Sequence, residues 1–226
     1  TCGLRRRVWL RGGVVGVGSR ACVRGLLGLS TEVGNPFGLF SAGVARTEPG
    51  AGDLIFVPYM AGERTPIWSS TARGVFFGLS YSTTRGDMLR AIMEGCAFAV
   101  YDNLKVAEQM GATVVEWLGS GGATRSAEWC RIKADVTGKP FVVARRADGH
   151  EAGHTLGLFA MTAHAIGLER DIGACVERLL PQRQVFYPRP HEHALYEELF
   201  GVYMSVSRKL LPDFDRLASI TREQTA

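Results

Sequence analysis

Leu118-Gly119-Ser120-Gly121-Gly122-Ala123-Thr124-Arg125-Ser126 is the stretch on which the fold turns. Thr113–Gly119 before it is short and β-branched, a strand by its residue types. Gly121-Gly122 predicts a tight turn, and Ser126 predicts the N-cap of a helix whose Trp129, Ile132 and Val136 share one face. Gly138 ends that helix and Phe141-Val142-Val143 is a further strand. Glycines let backbone N–H groups approach a ligand with no Cβ in the way, and a helix start adds unpaired donors and positive dipole. A nucleotide suits that physics. The pattern is not the P-loop, lacking G-K-[ST], nor the dinucleotide fingerprint G-x-G-x-x-G.

Working outward, Leu54–Val57 reads as a buried strand that Pro58 ends, and Val75–Leu79 is apolar again. Polar loops, Gly62–Pro66 and Thr71–Gly74, lie between them. Residues 84–110 form the best helix, with Leu89, Ile92, Met93, Cys96, Val100 and Leu104 at three- and four-residue steps and Gly111 at the C-cap. Helices are predicted near 151–167, 170–180 and, after Pro188 and Pro190, 191–211. Strands alternating with helices predict an α/β layered domain.

Composition bounds the function. With 46% hydrophobic and 21% charged residues, the chain is no disordered segment, and no apolar run reaches the ~20 residues of a membrane span. Its net charge of +4 is uneven: seven of the 26 basic residues, all Arg, fall in residues 1–50 beside only Glu32 and Glu48. The remainder is close to neutral, so a nucleic-acid surface spread over the fold is not expected. Five scattered Cys, none as C-x-x-C, suit a reducing cytoplasm.

Several blocks occur in a telling order: Pro58-Tyr59-Met60-Ala61-Gly62-Glu63-Arg64-Thr65-Pro66, Ala72-Arg73-Gly74-Val75-Phe76-Phe77-Gly78-Leu79, Arg90-Ala91-Ile92-Met93-Glu94-Gly95, then Gly121-Gly122-Ala123 through Trp129 with Ala134–Pro140. Together they resemble the C-terminal half of the FGGY carbohydrate kinases, xylulokinase-like in flavour, over about residues 52–168. The resemblance implies an actin-like (ribonuclease H-like) ATPase domain, one of two flanking a cleft where ATP, with Mg²⁺, phosphorylates a pentulose or related sugar. It transfers Gly121, Gly122, Ala123 and Ser126 as nucleotide contacts. It gives the Gly62–Pro66 and Ala72–Gly74 loops a structural role in the cleft wall. It further implies a cytoplasmic protein with ATP and a sugar as partners, no nucleic acid or membrane, and homodimerisation left open.

Departures from the family bear on activity. The D-x-G-T phosphate loop, most sugar contacts and the general-base Asp belong to the family's N-terminal domain and are not in this sequence. The chain alone is therefore expected to be incomplete and inactive, and its catalytic residues are unassigned. Residues 1–50, holding eleven of the 28 Gly, form an atypical Arg/Gly-rich leader. It reads as a truncated or frame-shifted start, a disordered arm, or a segment resting on a partner. Residues 51–212 then make the nucleotide-side domain and 213–226 a tail.

One competing motif is literal. His150-Glu151-Ala152-Gly153-His154 matches H-E-x-x-H, with position 160, an Ala, where a metzincin-type third ligand would fall and Glu169 or Glu177 as substitutes. Ala147-Asp148-Gly149 places His150 in a turn, and Gly153 weakens the helix between the ligands, so no metal site is assigned. The zinc peptidase is kept as a rival, beside a non-catalytic actin-like interaction module. His191-Glu192-His193 reads as a solvated helix start, Cys96 and Cys130 as core, Glu94-Gly95 as a close-packing point, and Arg64 and Arg73 as loop-bracing ion pairs before phosphate ligands.

Overall fold

A computed structural model describes residues 41, 43–145, 153–179 and 182–223. Its organising element is helix α1, Arg85–Gln109. Thr84 and Asp87 cap it reciprocally: the Asp87 amide donates to Thr84 Oγ1 at 3.2 Å, and the Thr84 amide donates to Asp87 Oδ2 at 2.8 Å. At the other end Gly111 takes φ 88°. Apolar positions at helical spacing bury Leu89, Ile92, Met93, Cys96 and Leu104, as the periodicity predicts.

Strands β1 (Ile55–Val57) and β2 (Val75–Phe77) pair antiparallel, Phe56 opposite Phe76, and β1 lies on α1. A Cβ on Gly95 would sit inside van der Waals contact of the Phe56 carbonyl oxygen, so the close-packing reading of Glu94-Gly95 holds. The loop between β1 and β2 braces itself. Glu63 and Ser69 exchange backbone bonds of 2.8 Å, and the Glu63 carboxylate accepts from the Arg64 and Thr65 amides. Arg73 also braces, through the Ser70 and Ala72 carbonyls rather than an ion pair.

A second sheet has the order β3–β4–β5. β3 (Trp117–Gly119) and β4 (Phe141–Arg145) are parallel, joined by α2 (Ala127–Thr137), which Gly138 ends at φ 63°. β3 is shorter than the β-branched run predicts. Its partner starts at Phe141, and pairing opens with the Trp117 amide on the Pro140 carbonyl, so among the described residues no strand pairs with residues 113–116. β5 (Gln182–Phe186), antiparallel to β4, was not expected: Gln182, Arg183 and Gln184 face solvent on an edge strand and carry no apolar pattern.

Helices α3 (Gly153–Ala165) and α4 (Ile172–Leu179) pack on each other. α5 (Pro190–Lys209) returns to the core with Tyr196, Phe200 and Tyr203 against Phe98. A further helix, α6 (Leu211–Glu223), occupies most of the stretch read as a tail. Pro212 looks like a stop but is tolerated in a first turn, where its missing N–H costs nothing.

The packed body includes residues before position 51. Val44 is fully buried, and Arg90 donates to the Val44 and Thr47 carbonyls at 3.2 and 2.6 Å. The Gly50 amide donates to Glu94 at 3.1 Å. Residues 1–40, the bulk of the Arg/Gly-rich leader, lie outside the described residues. Among the described residues no helix is long and apolar enough to cross a membrane.

Candidate functional site

The site begins where β3 ends. A side chain at Gly119 would overlap the Phe141 ring, so glycine lets strand and ring meet. Gly121 adopts φ 90°, ψ −177°, and a Cβ there would meet nothing within 4 Å. The turn therefore opens to space at the residue whose backbone demands glycine. Residues Gly122–Arg125 form one 3₁₀ turn. Ser120 and Arg125 are exposed, residues 121–123 half-buried, and Thr124 and Ser126 buried. The first amides of such a turn have no acceptor inside it.

Thr124 closes the turn, donating from its amide (3.1 Å) and hydroxyl (2.8 Å) to the Gly121 carbonyl. Ser126 caps α2, its Oγ accepting from the Trp129 amide at 3.2 Å and sharing a 2.9 Å bond with Ser41 Oγ. With only 2% of its surface exposed, Ser126 supports the loop from behind. Gly121, Gly122 and Ala123 form the accessible part. The structure brings all four sequence-derived residues into one turn.

Sequence reasoning missed two side chains, Arg145 beside the turn and Asp135 near the far end of α2. Arg145, at the end of β4, donates through Nη2 to the Thr124 carbonyl at 3.0 Å and through Nε to Gln184 at 2.5 Å. A cation ending an otherwise apolar strand was the available signal. Asp135, fully buried in α2, accepts from the Arg189 amide at 2.8 Å and from its guanidinium at 2.7 Å. Burial pushes the Cys130 thiol up to about 11, so this core cysteine is no nucleophile at neutral pH. The Lys133 amine lies 4.9 and 5.1 Å from the ring centroids of Trp129 and Phe141, and burial lowers its pKa.

Behind α1 is a buried polar knot. Arg90 Nε meets Glu94 at 2.7 Å, Arg90 Nη2 donates to the Tyr196 hydroxyl at 2.9 Å, and that hydroxyl donates to Glu94 at 2.7 Å. Burial pushes the Glu94 carboxyl up, and Arg90 beside it pulls the other way. Every partner lies in the core, so this knot is a fastening and not a reaction centre.

His150 and Glu151 lie outside the described residues, as does the side chain of His154. Ala160, in the third-ligand position, is buried in α3, and Glu169 is paired with Arg178. His193 leans its Nδ1 on the Asp135 carbonyl at 2.9 Å, while His191 is exposed. Among the described residues no group of three or more His, Cys, Asp or Glu is placed to hold a metal ion.

Comparison with known proteins places this architecture. Residues 30–164 match the C-terminal domain of the FGGY family of carbohydrate kinases, more than half of the chain and from an earlier start than the sequence motifs indicate. A xylulose kinase of Staphylococcus epidermidis is 33% identical over 165 residues, 73% of this chain and 32% of that protein. A gluconokinase of Bacillus subtilis is 29% identical over 195 residues, 85% of this chain and 37% of that protein. The crystal structure of xylulose kinase from Rhodospirillum rubrum superposes with TM-score 0.71 at 26% identity, covering 88% of this chain and 39% of the other. The chain spans about a third of the length of the curated relatives it matches. On this match and this architecture, the chain belongs to the FGGY family of carbohydrate kinases, carries its C-terminal domain and has its actin-like fold.

Proposed function

We propose that this domain supplies the adenine-nucleotide side of an ATP-dependent sugar kinase acting on a pentulose or related sugar. The observation that carries the reading is the open glycine turn between β3 and α2, with Gly121 beside free space and Ser126 capping the helix behind it. Gly121, Gly122 and Ala123 offer backbone contact to the nucleotide, and Ser126 holds their geometry. The names of the relatives, xylulose kinase and gluconokinase, support a small polyol or sugar acid as acceptor.

Phosphoryl transfer needs a positioned hydroxyl, a base for its proton and charge stabilisation around the γ-phosphate. The domain's own contribution is binding and orientation of ATP. The general base and the sugar-reading groups are assigned to the part of the relatives' length that this chain does not span. Mg²⁺ fits as a companion of the nucleotide, held mainly through its phosphates, which would supply charge neutralisation there. Reaction in the cytoplasm is the compartment this chemistry and the free thiols of Cys96, Cys130 and Cys175 favour.

Titration calorimetry of ATP–Mg²⁺ into the chain, beside Gly122→Asp, tests the reading. Saturable heat is expected from the parent and none from the variant, whose carboxylate opposes the phosphates. Equal heats from both proteins would remove the turn as the site. An ADP-release assay over a panel of pentuloses and sugar acids is expected to show no turnover by the chain alone.

A further inference from the structure

The glycine turn is held from outside as well as from within. Its closing residue, Thr124, spends its amide and hydroxyl on the Gly121 carbonyl, leaving its own carbonyl to face the sheet. That carbonyl receives two donors from different elements, the Cys130 thiol of α2 at 3.6 Å and Arg145 of β4 at 3.0 Å. A thiol is a weak donor, whereas a guanidinium gives a charge-assisted bond. Arg145 is itself steadied, its Nε on Gln184 Oε1 at 2.5 Å, and it follows four buried strand residues, Phe141–Ala144, that leave its backbone little play. The planar fork lets one side chain hold two acceptors at once, which a lysine amine on a flexible stem does not reproduce.

We propose that Arg145 is a positioning residue of the nucleotide site: stretched between Gln184 of β5 and the Thr124 carbonyl, it sets the pitch of the 3₁₀ turn and so aims the Gly121–Ala123 backbone at an adenine nucleotide. Arg145 needs no contact with the nucleotide itself. Its effect runs through Thr124, whose carbonyl direction fixes the plane of the peptide leading to Arg125 and thus the approach to the Ser126 cap. The inference rests on the nucleotide reading above and adds the element that disciplines the turn.

The experiment compares the 226-residue chain with Arg145→Ala, Arg145→Lys and Gln184→Ala by amide hydrogen exchange and by ADP titration. In Arg145→Ala, exchange over residues 120–126 is expected to quicken and the ADP dissociation constant to rise about tenfold, the scale of one charge-assisted bond. Arg145→Lys should recover only part of the affinity, and Gln184→Ala should show a smaller loss. A merely structural role at the sheet edge would quicken residues 182–186 and leave the turn and ADP affinity unmoved, which overturns the proposal. If the parent binds ADP and Arg145→Ala binds it equally well, the nucleotide reading stands and the positioning role falls. If the parent takes up no ADP, the nucleotide reading falls and the assigned purpose of Arg145 with it, while exchange still reports whether Arg145 holds the turn.

Discussion

Helices α1 and α3 are both rich in apolar residues, yet they sit in opposite circumstances. On α1, fourteen residues between Leu89 and Leu104 are buried, Arg90, Glu94 and Asp102 among them. On α3, Leu158, Phe159 and Met161 are 67%, 53% and 61% exposed, and Ala160 and Ala163 are buried. The α3–α4 connection continues the outward apolar surface through Ile166 and Leu168. Charge is therefore inside one helix and hydrocarbon outside the other. Burial follows the availability of partners: Glu94 is covered because Arg90, Tyr196 and Gly50 satisfy it, whereas nothing among the described residues covers Leu158.

The strongest way to break this contrast is Glu94→Ala. It leaves Arg90 buried without its carboxylate, and equilibrium denaturation should show a loss of about 3–5 kcal/mol. A loss under about 1 kcal/mol would mean that the knot does not fasten the body. Gly95→Ala comes next. The new methyl collides with the Phe56 carbonyl oxygen, so α1 and β1 must separate, costing about 1–3 kcal/mol.

Lys133→Met sharpens the comparison from the other direction, by removing an ill-placed charge. The folded pKa of Lys133 lies below the ordinary 10.5. Between that lowered value and 10.5 the unfolded chain binds a proton that the folded chain has shed, so stability rises with pH across the window. The ring faces offset part of the cost, and the variant should gain up to about 1 kcal/mol. Its advantage is full below the lowered pKa and shrinks toward pH 10.5. An advantage independent of pH in denaturant titrations would assign the gain to packing alone. The smallest effect on stability belongs to Phe159→Ser, within about 0.5 kcal/mol. Light scattering should nevertheless show less self-association, because an exposed apolar patch shrinks.

Local signals carried much of the fold into the sequence. Ser126, Gly111 and Gly138 mark helix ends as read, and Thr84 with Asp87 adds a cap of the same local kind, all through contacts a few residues apart. The glycine turn was legible for the same reason. What escaped depends on distant partners. β5 pairs its polar residues with a strand about forty positions earlier. The knot at Glu94 draws on Gly50 and Tyr196, and Arg145 gains its role only once Thr124 is brought beside it. None of these pairings leaves a periodic trace.

The grip on Asp135 has a mechanical consequence. Helix α2 spans eleven residues, Ala127–Thr137, roughly 16 Å at 1.5 Å per residue. One end abuts the glycine turn, and near the other Arg189 clasps Asp135 from the threshold of α5. The helix is thus a strut moored at its far end to the carboxy-terminal helices. Tilting it would uncouple a fully buried carboxylate, so adaptation to a guest has to come from flexing of the turn while the strut keeps its bearing.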